Sequence, residues 1–402
     1  MRFLMVILLL AGCSSVDFSG GTVPQEQIHT DTAPQRLTNQ QVFLAKASFD
    51  ALPGWQADDH KAALASFRRS CTALLVRPSS ARSKAAIPGL ERKADWHPVC
   101  REALRIEDKD AKAFFEEHFA PYRVAAEGSE KPTDKPNGKF TGYYQISLKA
   151  ARKKSAVYQY PIYAVPSDLK QRKGAKGEPE WGRLVAGKWQ PYHTRAEIER
   201  GALGNKAKVL FWAKDPVDVF LLHIQGSGQI ELPGGTRTAV GFAGRNGQPY
   251  GSIGTVLIKN GALKPAETNI GTIRAWLNRN PQKRQEILNA NASYIFFKEQ
   301  NHLDPIGAMG VALTPRRSLA VDPSFIPYGA PLWVDIPGNE RLPGGLQSLL
   351  IAQDTGAAIK GAVRGDVFWG HDAVAEERAG TMNNPGAYYL LLPRQQLLAN
   401  AL

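Results

Sequence analysis

Residues 350–380 read LIAQDTGAAIKGAVRGDVFWGHDAVAEERAG, and two aspartates, Asp354 and Asp366, interrupt this otherwise apolar, β-rich stretch. The run Leu349–Ala352 predicts a short buried strand, ended by a turn at Asp354-Thr355-Gly356. A second turn, Arg364-Gly365, is expected to deliver Asp366 into Val367, Phe368 and Trp369. A carboxylate among bulky apolar side chains resists ionisation, because desolvation disfavours its charged form. A raised pKa is what a general acid needs near neutral pH. Taken locally, a turn cap is the favoured reading of either aspartate, so the rest of the chain must decide.

At 402 residues the chain is long enough for two domains, or for one domain carrying a large insertion. Its formal net charge of +13 favours an anionic partner. No helix-turn-helix, zinc-finger or RNP pattern is present and the basic residues are scattered, so nucleic acid is not expected and an acidic polysaccharide remains. Residues 1–12, MRFLMVILLLAG, read as a signal peptide. The following Leu-Ala-Gly-Cys resembles a bacterial lipobox, which would make Cys13 a lipidated N-terminus anchored to a membrane surface. Ser14 and Ser15, not Asp, follow the cysteine, a pattern that points to the outer membrane and the periplasm. Residues 13–36 then form a tether. In such an oxidising compartment the remaining thiols, Cys71 and Cys100, are expected to be bridged. No metal-ligand spacing occurs, and neither metal nor cofactor is expected.

Along the chain, Thr38 and Gln41 predict a capped helix carrying Val42, Ala45, Phe49 and Leu52. Asp58 and Asp59 predict a second, burying Leu64, Phe67, Cys71 and Leu74. Asp108 or Asp110 predicts a third, carrying Phe114, Phe115 and Phe119. From Lys139 the period changes to two, with strands expected at Phe140–Tyr144, Val157–Tyr163, Val209–Trp212 and Val219–Leu232. These short strands between Gly and Pro turns suggest a small β-barrel. Within the last of them, Gly226 and Gly228 would let the backbone approach a ligand, while Gln225 and Ser227 could bond sugar hydroxyls or acetamides. Three helical segments come next between Ser252 and Leu288, and then a second set of short strands running to Tyr388–Leu392.

The chain resembles the membrane-bound lytic murein transglycosylase A family. The motifs are Phe-Thr-Gly-Tyr-Tyr (140–144), Tyr-Pro-Ile-Tyr (160–163), Gln-Gly-Ser-Gly (225–228), Ala-Gly-Arg-Asn-Gly (243–247), Ser-Ile-Gly (252–254), and Ala-Ile-Lys-Gly with Gly-Asp-Val-Phe-Trp-Gly (358–370). The resemblance implies a mainly β fold with α-helices: a double-psi β-barrel catalytic domain at 37–145 and 303–402, with N-terminal helices. A second β domain is inserted at 146–302, and a glycan groove lies between the two. It places the catalytic aspartate at Asp366 and further acidic positions at Asp354 and Asp322. Where the family has Gly-Gly before Ala-Ile-Lys-Gly, this chain has Gly356-Ala357.

Ordinary glycosidases use two carboxylates, whereas a lytic transglycosylase needs one that acts first as acid and then as base. On this reading Asp366 carries the proton and Asp354 and Asp322 support it. Thr141 and Tyr143, the Gln225-Gly226-Ser227 run, Lys360 and Trp369 are candidate substrate contacts, although Lys360 reads more simply as solvated charge and Trp369 as well as core. The partner is peptidoglycan. A hydrolase using a water held by Asp354 and a non-catalytic wall-binding barrel remain open alternatives.

Overall fold

A computed structural model describes residues 35–36, 42–78, 80–85, 87, 90–126, 138–174 and 179–395. The expected signal peptide, Cys13, and all of the tether except 35–36 lie outside the described residues. The described residues begin with β1 (Gln35–Arg36) and β2 (Val42–Lys46), then α1 (His60–Leu75), α2 (His97–Ala103), α3 (Ala111–His118), β3 (Phe119–Ala126) and β4 (Gly138–Tyr143). A middle group comes next: β5 (Ile146–Ala151), β6 (Tyr160–Tyr163), β7 (Lys170–Lys173), β8 (Pro179–Val185), β9 (Lys188–Pro191), α4 (Arg195–Glu199), β10 (Val209–Ala213), α5 (Pro216–Gln225), β11 (Ser227–Glu231), β12 (Arg237–Arg245), α6 (Ile253–Lys259), α7 (Ile270–Arg279), α8 (Pro281–Asn289) and β13 (Ile295–Gln300). The chain then runs through β14 (Ser318–Ala320), β15 (Pro331–Ile336), β16 (Leu346–Asp354), β17 (Arg364–Phe368), α9 (Ala373–Thr381) and β18 (Asn383–Pro393).

The fold is mixed α/β. Strands β18, β15, β16, β14, β17 and β4 pair in that order, and β4 pairs back onto β18, so the six form a closed barrel. Closure leaves no free ladder edge within the ring. Strand β16 reads as an almost unbroken apolar run because both of its faces are covered: Leu349, Leu350, Ile351 and Ala352 are all fully buried. One cover is α1, whose Ala63, Leu64, Phe67, Cys71 and Leu74 belong to the same core. Asp59 starts that helix by accepting the Ala62 backbone N–H at 3.0 Å. Cys71 on α1 and Cys100 on α2 form a disulfide. A second sheet, in the order β13-β12-β11-β5-β10-β6, has its own core around Leu148, Phe211, Leu222 and Phe297. A bridge from Ala164, just beyond β6, to Phe297 draws its two ends together. Strands β7, β8 and β9 make a small separate sheet.

Three expectations are corrected. The helix foreseen over 38–52 is instead strand β2, paired with β3, and then a single 3-10 turn at Phe49–Ala51. Residues 38–41, its expected cap, lie outside the described residues. Strand β2 pairs with β3 and buries Leu44 in the core, so tertiary pairing overrides the helical spacing. The strand expected over 219–232 is split: residues 219–225 belong to helix α5, and Ser227–Glu231 is strand β11 as expected. Asp215 accepts the Val217 N–H at 2.7 Å, Pro216 occupies the first turn, and Gly226 at φ 78° ends the helix. Lastly, Arg364 and Gly365 lie inside strand β17 and form no turn.

Candidate active site

Strand register brings the two aspartates to one face. Asp354 at the end of β16 pairs with Ala320 of β14, Ala320 pairs with Asp366 of β17, and Asp366 pairs with Thr141 of β4. Directly opposed residues share a sheet face, so Asp354, Asp366 and Thr141 form one row. Regular alternation would have excluded Asp354 from it. Leu319 pairs with Ala352, yet the next residue, Ala320, pairs with Asp354, so Gln353 is an extra residue in the ladder. Such a bulge shifts the side-chain alternation by one position and re-aims the side chains beyond it. Without it, Asp354 would point the way Ala352 does, into the core.

Gln353 anchors this bulge through a side chain that is fully buried. Its amide N donates to Ser66 O at 2.9 Å and to Ser70 Oγ at 2.8 Å, and its Oε1 accepts from Ser318 Oγ at 2.5 Å and Ser66 Oγ at 3.2 Å. Helix α1 therefore holds the position of Asp354 from behind the barrel. Nothing in the sequence singled out Gln353, although a glutamine inside an apolar strand is itself a signal that partners await it.

Asp366 is half-buried and retains a solvent-facing edge. Burial raises its pKa from 3.8 to about 6, against the lowering effects of the Thr141 hydrogen bond and the Arg364 charge, with Asp354 adding to the rise. Thr141 Oγ1 donates to Asp366 Oδ1 at 2.6 Å and accepts from Arg364 Nη2 at 2.8 Å. Arg364 is thereby tied to the site and half-buried.

Asp354 is also held above its usual range by burial. Opposing this, Oδ1 accepts the backbone N–H of Ala308 at 2.8 Å and of Thr355 at 2.9 Å, and Oδ2 accepts Tyr143 OH at 2.9 Å. Burial, and then the neighbouring Asp354 charge, push the Tyr143 phenol well up, so it stays a donor. Its ring lies 5.3 Å from that of Phe368. Asp322 faces a different task. Its Oδ1 accepts Ser324 N–H at 3.1 Å and its Oδ2 accepts Gly361 N–H at 3.0 Å, which ties the 322–326 turn to the loop between β16 and β17.

The other candidates spread around this centre. Trp369 belongs to the packing of both cores: its indole donates to Met382 Sδ at 3.4 Å, and a Cβ on Gly142 would come within 2.6 Å of it. Gln225 Oε1 accepts Tyr144 N–H at 3.1 Å, so the end of α5 reaches the chain just beyond Tyr143. Gly226 serves as the left-handed cap of α5, and Ser227 opens β11. Lys360 is exposed on the loop before β17. Among the described residues no group of His, Cys, Asp and Glu could hold a metal ion, and no helix is long and apolar enough to cross a membrane.

Known proteins share this architecture. Residues 139–298 match a family model described as the MltA specific insert domain, and residues 317–392 match the 3D domain. The membrane-bound lytic murein transglycosylase A of Escherichia coli K12 is 35% identical over 261 residues, which is 63% of this chain and 66%, just under two thirds, of that relative. The crystal structure of MltA from Neisseria gonorrhoeae, 34% identical, superposes with a TM-score of 0.73 over 90% of this chain and 96% of its own. That of E. coli MltA with bound chitohexaose, 29% identical, gives 0.59 over 75% and 83%.

Proposed function

Because the chain belongs to the membrane-bound lytic murein transglycosylase A family, we propose that it cleaves the β-1,4 bond between MurNAc and GlcNAc in peptidoglycan, leaving 1,6-anhydro-MurNAc ends. The observation that carries the reading is Asp366, a half-buried carboxyl held to about pH 6 that can both give and take a proton near neutrality. Protonated Asp366 donates to the leaving GlcNAc O4 as the C1–O4 bond breaks. The resulting carboxylate takes the proton of the MurNAc C6 hydroxyl as O6 bonds to C1. Acid and base are restored, and no water enters. Asp354, steadied by Tyr143 and two backbone amides, eases positive charge at C1, and when ionised it helps to keep Asp366 protonated. Asp322 supports the site by holding the neighbouring loop.

The groove lies between a double-psi barrel, residues 37–145 and 303–402, and the inserted domain, 146–302. The chitohexaose carried by the E. coli neighbour supports a glycan ligand there. Thr141, Tyr143, Gln225, Gly226, Ser227, Lys360 and Trp369 border it. Cys13 carries the lipid that holds the protein at the outer membrane, facing the periplasm. Mass analysis of sugars released from purified murein tests the reaction: products lighter by one water than hydrolytic ones are expected, and free reducing ends, or no release, would refute it.

A further inference from the structure

We propose that Lys139 and Asn383 form a subsite that reads two neighbouring substituents of one muramyl ring, Asn383 its 2-acetamido group and Lys139 the acidic lactyl-peptide at C3. This rests on the murein reading above. The row that holds the acid continues past Thr141, because Thr141 of β4 pairs with Asn383 of β18. One step along the same face, Arg364 pairs with Lys139, and Lys139 with Pro385. Opposed residues share a face and the pattern repeats every second residue. Lys139 and Asn383 therefore lie on the face of Asp366.

The polar side chains of this patch divide sharply. Thr141 bonds Asp366, and Arg364 is committed to Thr141 and to Lys139 O at 3.1 Å. Lys139 and Asn383 are exposed, and among the described residues neither side chain has a partner. The diagonal between them spans roughly 7–8 Å, within reach of substituents on adjacent ring carbons once the lysine extends. The backbone of Asn383 lies two strand spacings, roughly 9–10 Å, from that of Asp366, close enough for a sugar beside the scissile bond. Chemistry matches position: a primary carboxamide can donate to or accept from an acetamide, and an ammonium suits a carboxylate. Chitin-type sugars carry the acetamide but no acidic group at C3. The two residues would thus answer differently to the two polymers.

Equilibrium binding to the full chain carrying Asp366→Asn, which holds substrate without turnover, tests the subsite with two probes: chitohexaose, and soluble murein strands bearing stem peptides. Adding Lys139→Gln should weaken murein binding about three- to fivefold at low salt, the scale of an exposed charge pair, and less at high salt. It should leave chitohexaose binding unchanged. Adding Asn383→Ala should weaken both by about fivefold, one hydrogen bond's worth. Equal weakening of both probes by Lys139→Gln, or no effect from either change, overturns the subsite alone. A parent that binds neither saccharide overturns the murein reading and the subsite with it. Both positions are exposed, so an unchanged melting temperature is expected for each variant.

Discussion

Replacing Asp366 by Asn separates two properties of the carboxyl, carrying a proton and resisting ionisation. Burial moves the group from 3.8 to about 6. At 1.36 kcal/mol per unit, ionising it costs the folded chain ~3 kcal/mol more than the unfolded one. The folded state keeps its proton to higher pH, so this penalty is absent below pH 3.8 and complete above about 6. Asparagine retains an oxygen for Thr141, but its NH2 takes the half-buried place of the second carboxyl oxygen, and desolvating that donor offsets the gain by about 1 kcal/mol. At pH 7.5 the variant should therefore be about 2 kcal/mol more stable than its parent, a melting point higher by a few degrees. At pH 4 that advantage should disappear. Calorimetry at both pH values reads the stability, and chromatography of digested murein reads anhydro-sugar release, which should be lost. A melting-point difference of the same size at pH 4 and 7.5 would refute the desolvation reasoning. Substantial anhydro-sugar release by Asp366→Asn, with Asp354→Asn inactive, would move the acid to Asp354.

The same geometry sets other outcomes. The parent's release rate should fall as pH rises through about 6, because only protonated Asp366 starts the reaction; a rate still rising at pH 8 contradicts this. Gln353→Ala removes a partner from the buried hydroxyls of Ser66, Ser70 and Ser318 and leaves a cavity, and should cost about 2–4 kcal/mol by denaturant titration. It should also lower kcat by more than the folded fraction explains, since the bulge that aims Asp354 loses its anchor. Tyr143→Phe removes one donor from Asp354 at little cost in packing, so kcat should drop while the melting temperature holds. Removing the Cys71–Cys100 bridge frees a loop with a sequence separation of 29 and should cost about 3–4 kcal/mol through the unfolded state; peptide mapping without reductant should recover the linked pair.

Some of this was legible in residue order and some was not. Strand β16 declared itself as a continuous apolar run, α1 through Asp59 and its buried stripe, and Asp366 through its apolar neighbours. Helix α5 was equally readable from Asp215, Pro216 and Gly226, but its β-branched and aromatic content suggested a strand. Pairings were out of reach, because Thr141 and Asp366 meet across 225 positions of chain and no local period encodes such register. The bulge at Gln353 was hidden for the same reason: an extra residue in a ladder exists only relative to the neighbouring strand. Lys139 and Asn383 look like ordinary solvated positions until β4 and β18 are aligned.

The closing of the ring by β18 has a consequence for when the row of Thr141 and Asp366 can form. The acid's partner Thr141 lies early in the chain, the acid itself near the end, and the strand that seals them together is the last one described. A polypeptide still emerging in N-to-C order cannot complete the barrel, because its final stave has not arrived. Proteolytic fragments lacking Asn383–Pro393 share that defect. Assembly of the candidate site is thus tied to arrival of the chain through β18, a delay built into the order of the strands.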